Sequence, residues 1–180
     1  MGVRVHWEEV PGSVRAALEA RVGAPIVEAI TQPQGFSPGL ATRLRLDDGR
    51  RVFVKAVSEA ANPDTPDIHR REARILAALP ASAHAPRLLW TFDEQGWVAL
   101  CLEDIDGRHP HEPWTEDDLN LVVETFTRMA ADLTPSPIAV DEVINATPLA
   151  SVAAHRAFLS NSSPPFLRSP AHNQASDIFR

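Results

Sequence analysis

Two runs near the middle of the N-terminal half constrain the fold most. LATRLRL (40–46) and RRVFVKAV (50–57) both alternate along the chain, and the turn signal Asp47-Asp48-Gly49 joins them. Period-two patterning on both sides of a Gly-containing turn predicts an antiparallel hairpin. In the first run Leu40, Thr42, Leu44 and Leu46 face one way, and Ala41, Arg43 and Arg45 the other, which describes a half-buried strand. The second run is apolar on both faces: Val52, Val54 and Ala56 on one, Phe53 and Val57 on the other. Lys55 lies on the second of these faces. A strongly hydrated ammonium is costly to place among apolar side chains. Of the 17 Lys and Arg residues, Lys55 alone is lysine, so its type at this position is unlike the chain's usual choice of cation.

The remaining elements follow from similar signals. VPGSVRAALEARVG predicts a short amphipathic helix, with Pro11 in its first turn, Val14, Leu18 and Val22 on one side and Gly23 at its end. PIVEAI (25–30) reads as a strand and TQPQGFSPG (31–39) as a Gly/Pro loop. After a polar loop over 58–65, Thr65 caps a helix with Pro66 at its first position, running to Leu79 before Pro80. RLLWTF (87–92) and WVALCL (97–102) are strands joined by DEQG. EDIDGRHPHEPW is a polar linker. Thr115 caps a second long helix to about Leu133, with Leu119, Val122, Val123, Phe126, Met129 and Leu133 on one face. The expected class is α+β. An antiparallel five-stranded sheet with one packed helix occupies 1–102, a linker 103–114, a partial helical lobe 115–160 and a poorly ordered tail 161–180.

Composition narrows the function classes. The 180 residues are 44% hydrophobic and 23% charged, as in an ordinary globular protein. A net charge of −7 and a pI near 5.4 argue against a surface for nucleic acid or anionic membrane. No stretch has the length of a membrane span, and the N-terminus has no signal-peptide core. Cys101 is the single cysteine, which leaves no internal disulfide. These features lead us to expect a cytoplasmic protein.

The helix after the hairpin supplies a partner for Lys55. Ile68, Ile75, Leu76 and Leu79 define an apolar stripe, and Glu72 falls inside it. The sequence thus places one cation on a sheet face and one carboxylate on the helix facing it. Either alone would cost several kcal/mol, on the order of the penalties for unpaired buried charge; paired, they offset most of it. A snorkelling Lys55 with Glu72 at the stripe's edge, and a buried pair without a ligand, are the alternatives. A strand, a glycine loop, a second strand, a lysine strand and an acid-bearing helix are the parts that hold nucleotide phosphates in kinases.

In order and spacing, QGFSPGLATRLRL, RVFVKAV, HRREARILAALP and WVALCLEDIDGRHP resemble the N-terminal lobe of the aminoglycoside phosphotransferase family, which has a protein-kinase-like fold. The resemblance covers roughly residues 25–135. It implies ATP as cofactor, with Mg²⁺ in the family, and a small-molecule hydroxyl as acceptor. It implies that Lys55 holds the α- and β-phosphates and Glu72 holds Lys55. Backbone N–H groups around Gly35, Phe36, Ser37 and Gly39 would cover the phosphates. Ile30 and Leu40 would sandwich the base and Leu102 would stand behind it. The Glu103 carbonyl and Ile105 amide would meet the adenine edge.

The family's chemistry also needs a His-Gly-Asp-type loop, an Asn five residues beyond the Asp, and a later Asp for Mg²⁺. No His-x-Asp triplet occurs in the sequence. Asp141 and Asn145 are four apart and lack the His. His109 and His111 bracket Pro110, but two histidines without a third ligand are ordinarily solvated linker residues. No catalytic or metal-ligating residue is therefore assigned. The chain is expected to be a truncated member, by a frameshift for instance, that does not transfer phosphate on its own. The apolar face of its 115–133 helix is then free for self-association. Three readings remain open: a phosphotransferase cut short, a non-catalytic nucleotide-binding or protein-interaction module, and a plain α+β domain without a ligand.

Overall fold

The hairpin forms the middle of a sheet. The computed structural model of the chain describes residues 4–33 and 38–139. In chain order these form β1 (Arg4–Val5), a 3-10 turn (Trp7–Glu9), α1 (Gly12–Val22), β2 (Ile26–Thr31), β3 (Gly39–Leu46), β4 (Arg51–Ser58), α2 (Thr65–Ala78), β5 (Leu88–Glu94), β6 (Trp97–Glu103) and α3 (Glu116–Asp132). The class is α+β, with six strands in one sheet and three α-helices among the described residues. Residues 35–37, the pair Asp141 and Asn145, and the expected helical continuation and tail beyond residue 139 lie outside the described residues.

The sheet runs β1-β3-β4-β6-β5, and β2 also pairs with β3. It is mixed, which corrects the expectation of five antiparallel strands. β1 runs parallel to β3, with Arg4 opposite Gly39 and Val5 opposite Leu40, whereas every other pairing is antiparallel. A two-residue strand carries no alternation, so nothing in the sequence pattern marks it.

Register sorts the side chains onto two faces. Leu40, Thr42 and Leu44 stand opposite Ala56, Val54 and Val52. Together with Ala99, Cys101 and Phe92 they pack beneath Val14, Leu18 and Val22 of α1 and beneath Trp7 and Val10. This is the main core. α1 ends as its sequence requires: Gly23 adopts φ 75°, and its amide donates to the Glu19 carbonyl. The opposite face carries Phe53, Val98, Leu100 and Leu102, covered by Ala73 and Leu76 of α2.

α2 differs from expectation in its cap and its rotation. Its first residue is Thr65, and the cap is supplied by Asn62, whose Oδ1 accepts from the amides of Asp64 and Thr65 at 3.0 Å each. The buried stripe runs through Thr65, Pro66 and His69 rather than Ile68, which is exposed. Small Ala73 lets the helix lie close to β6, and this turns His69 inward in place of Ile68.

α3 begins at a reciprocal cap. The Asp118 amide donates to Thr115 Oγ1 at 3.1 Å, and that hydroxyl donates to Asp118 Oδ2 at 2.9 Å. Leu119, Leu121, Val123 and Phe126 are all exposed. No helix among the described residues is long and apolar enough to cross a membrane.

Candidate functional site

Lys55 sits in the middle of β4, between Ala41 of β3 and Leu100 of β6. Both neighbouring strands are hydrogen-bonded to β4, so the backbone at Lys55 is fixed on both sides. Its side chain rises on the α2 face and meets Glu72, with Nζ 2.8 Å from Oε1 and 2.6 Å from Oε2. The side chains are 27% and 31% exposed respectively. The pair is therefore neither on the open surface nor sealed in the core. An ammonium has three N–H donors. Glu72 engages only part of that capacity, and the partial exposure of the pair leaves Nζ open to the approach of a charged ligand.

His69 lies one turn before Glu72 and is buried. Its Nδ1 is 3.2 Å from the Thr65 carbonyl oxygen; a carbonyl only accepts, so Nδ1 carries the hydrogen. Burial lowers the pKa of the ring, and the nearby Lys55 charge lowers it further, against the opposing effects of Glu72 and the Thr65 bond. His69 is thus a neutral imidazole at pH 7 and leaves the Lys55–Glu72 pair balanced.

Ile30 of β2 stands opposite Arg43, Arg43 opposite Phe53, and Phe53 opposite Leu102. Ile30 is therefore on the Lys55 face, with its side chain exposed, and Leu102 is packed with Phe53. Leu40 is not on this face. It is buried in the main core on the far side of the sheet, opposite Ala56. The residue that stands beside Lys55 is Ala41, because directly paired residues share a face. Phe53, two residues before Lys55, presents an aromatic ring on the same face.

Gly39, at the start of β3, adopts φ 101°, and a Cβ there would collide with the carbonyl oxygen of Ala56. Only glycine lets the end of the 31–39 loop approach β4 this closely. Gly35, Phe36 and Ser37 belong to the part of that loop outside the described residues.

Glu103 and Ile105 lie where β6 passes into the linker. The Glu103 amide donates to the Arg87 carbonyl at 3.0 Å, and its carboxylate accepts from Arg87 Nε at 2.6 Å. That hydrogen bond holds the carboxyl below the usual range. The Ile105 carbonyl accepts from Arg43 Nη2 at 3.1 Å. A cavity of about 360 Å³ touches both residues from the side of the loop at 83–86. A larger apolar groove, about 750 Å³, runs along α3 past Trp114, Val122, Phe126 and Met129, away from Lys55.

Of the two linker histidines, His111 is bound to Asp118, whereas the His109 carbonyl accepts from Arg108. The Asp118 carboxylate accepts from the His111 amide at 3.0 Å, the His111 ring at 2.7 Å and Arg108 Nη2 at 2.8 Å. Among the described residues no group of three or more His, Cys, Asp or Glu side chains is placed to hold a metal ion. No protein-family model and no curated protein matches the sequence.

Phe53 shares the Lys55 face as its alternation predicts, whereas Ala41 and His69 escaped sequence reasoning as members of this cluster. The signals for these two were present. His69 is three residues from Glu72, and the turn length that fixes the hairpin register places Ala41 opposite Lys55.

Proposed function

We propose that residues 1–102 form a protein-kinase-like nucleotide-binding lobe of the aminoglycoside phosphotransferase type, serving phosphoryl transfer from ATP to a small-molecule hydroxyl. The observation that carries this reading is the bidentate contact of the lone lysine with Glu72, made from a central strand to the helix packed on it. Such a contact aims an ammonium while leaving one of its donors for a phosphate oxygen. The close approach of the glycine-bearing strand at Gly39 supports the same reading. So does Phe53, partly exposed on the Lys55 face and backed by the buried Leu102, which offers an aromatic edge to a base.

The roles that follow are specific. Lys55 holds the α- and β-phosphates, Glu72 orients Lys55, and the backbone from Gly35 to Gly39 covers the phosphates. Ala41 takes the place expected of Leu40 against the base, with Ile30 at the outer rim. Glu103 and Ile105 supply main-chain groups to the adenine edge. No residue of this chain is assigned as the catalytic base or as a Mg²⁺ ligand.

The test is a calorimetric titration of ATP·Mg into the wild type and Lys55→Ala. Saturable binding that the substitution weakens at least tenfold, about 1.4 kcal/mol, is expected. Equal weak binding by both removes the nucleotide reading. A second reading, a nucleotide-binding or interaction module without turnover, is favoured by the exposed apolar positions of α3. Turnover on hydroxylated acceptors separates the two, since measurable transfer excludes the second.

A further inference from the structure

A second charged cluster lies on the Lys55 face and has no part in the roles above. Arg43 of β3 and Arg51 of β4 both reach toward the chain leaving β6. Arg43 Nε is 3.1 Å from Asp104 Oδ1 and Arg51 Nε is 3.4 Å from Asp104 Oδ2. Arg43 Nη2 also donates to the Ile105 carbonyl at 3.1 Å, and Arg51 Nη2 is 3.6 Å from Asp106.

Asp104 is unusual for its position. It directly follows a strand end, where an acid ordinarily turns to water, as Asp106 does. Its side chain is only 2% exposed, and neither carboxylate oxygen has a hydrogen-bond partner among the described residues. Burying a carboxylate on charge alone is costly. The two guanidinium groups are what hold it inward. In doing so they pin the backbone of 104 and 105 against the sheet at the point where it would otherwise become a free linker.

We infer that Arg43, backed by Arg51 through Asp104, is a positioning residue that presets the 103–105 backbone for reading the base of a bound nucleotide. The inference rests on the nucleotide reading proposed above. A backbone already fixed loses little further freedom when it hydrogen-bonds a ligand, so pinning strengthens binding without contact between Arg43 and the phosphates. Lysine cannot replace arginine here, because one ammonium cannot reach both Asp104 and the Ile105 carbonyl as the planar fork does.

The experiment uses the full chain and three probes: ATP, adenosine and inorganic tripolyphosphate. Arg43→Lys is expected to weaken ATP and adenosine by on the order of tenfold, the scale of one charge-assisted hydrogen bond. Tripolyphosphate affinity should stay within about twofold, since its partners are Lys55 and the glycine loop. Asp104→Asn, which frees both arginines with little change of shape, should show the same split. A merely structural role would move all three probes alike. Equal loss for all three, or none, in variants whose melting shows them folded overturns the inference alone. A wild type that binds none of the probes overturns the nucleotide reading and this inference with it. Amide hydrogen exchange at 103–106 should quicken in Arg43→Lys, and unchanged exchange refutes the pinning itself.

Discussion

Lys55 and Glu72 are exposed by roughly the same fraction, just under a third, and that intermediate burial sets the size of their coupling. Fully exposed pairs couple by about 0.2–1 kcal/mol. Removing one partner of a buried pair costs about 3–5 kcal/mol. For this pair, Lys55→Met and Glu72→Leu should each cost about 1.5 kcal/mol, because each leaves a partly desolvated charge facing an apolar group. The double substitution should cost less than either prediction summed, about 1 kcal/mol. Met and Leu would then extend the contact already formed by Phe53, Ala73 and Leu76. The coupling energy from the cycle is therefore about 2 kcal/mol. Urea unfolding followed by tryptophan emission is a suitable assay, since Trp7, Trp90 and Trp97 all pack into the main core. Midpoints should shift with an unchanged slope. If the double substitution equals the sum of the singles to within about 0.3 kcal/mol, the two groups are independent. Lys55 would then be a snorkelling surface residue rather than an ammonium aimed by Glu72.

Three further outcomes follow from other parts of the molecule. Hydrogen bonds from the His111 amide and ring, then Arg108 and Thr115, hold the Asp118 carboxyl well below its ordinary value of 3.8. Its stabilising contribution is therefore complete above that value and is lost as pH falls toward the depressed folded value, so Asp118→Asn should lose helicity less steeply than wild type between about pH 4 and pH 2; superimposable acid titrations by circular dichroism would refute this. Burial pushes the Cys101 thiol up to about 12, so iodoacetamide at pH 8 should label the native chain far more slowly than the urea-unfolded chain, and comparable rates would contradict the packing of β6. Gly39→Ala should cost at least about 2 kcal/mol, because it combines a left-handed backbone with a clash against the Ala56 carbonyl, and a urea midpoint matching wild type would show that this strand end is not held as described.

The parts of the fold that could be read in the sequence are those whose cause is local. The β3–β4 hairpin, the Gly23 helix end and the Thr115 cap each depend on residues within a few positions of one another, and each lies where the pattern put it. β1 could not be read, because two residues have no period. The rotation of α2 could not be read either. Ile68 and His69 are 100° apart on the helix, and both candidate stripes include Glu72 and Leu76. Tertiary packing chooses between them: Ala73 permits close approach to β6, and the His69 ring can be buried because the Thr65 carbonyl takes its N–H.

The same division applies to the candidate site and explains why its lysine is a lysine. The Lys55–Glu72 contact was legible because strand and helix periodicities each fix a direction, and two fixed directions meet. The Arg43–Asp104–Arg51 cluster was not, because it depends on where the chain goes after β6 and on nothing periodic. The two clusters also use different cations for a physical reason. Arg43 faces the Asp104 carboxylate with Nε while Nη2 donates to the Ile105 carbonyl, a task for a rigid planar fork. An arginine at position 55 would engage Glu72 with two parallel donors and fix its whole plane to that partner. Lysine meets the same carboxylate at 2.8 and 2.6 Å and still has a rotatable donor to spare. In a chain that uses arginine at every other Lys-or-Arg position, the freedom of that spare donor to rotate is the property arginine would remove, since its remaining N–H groups are fixed in the plane of the fork.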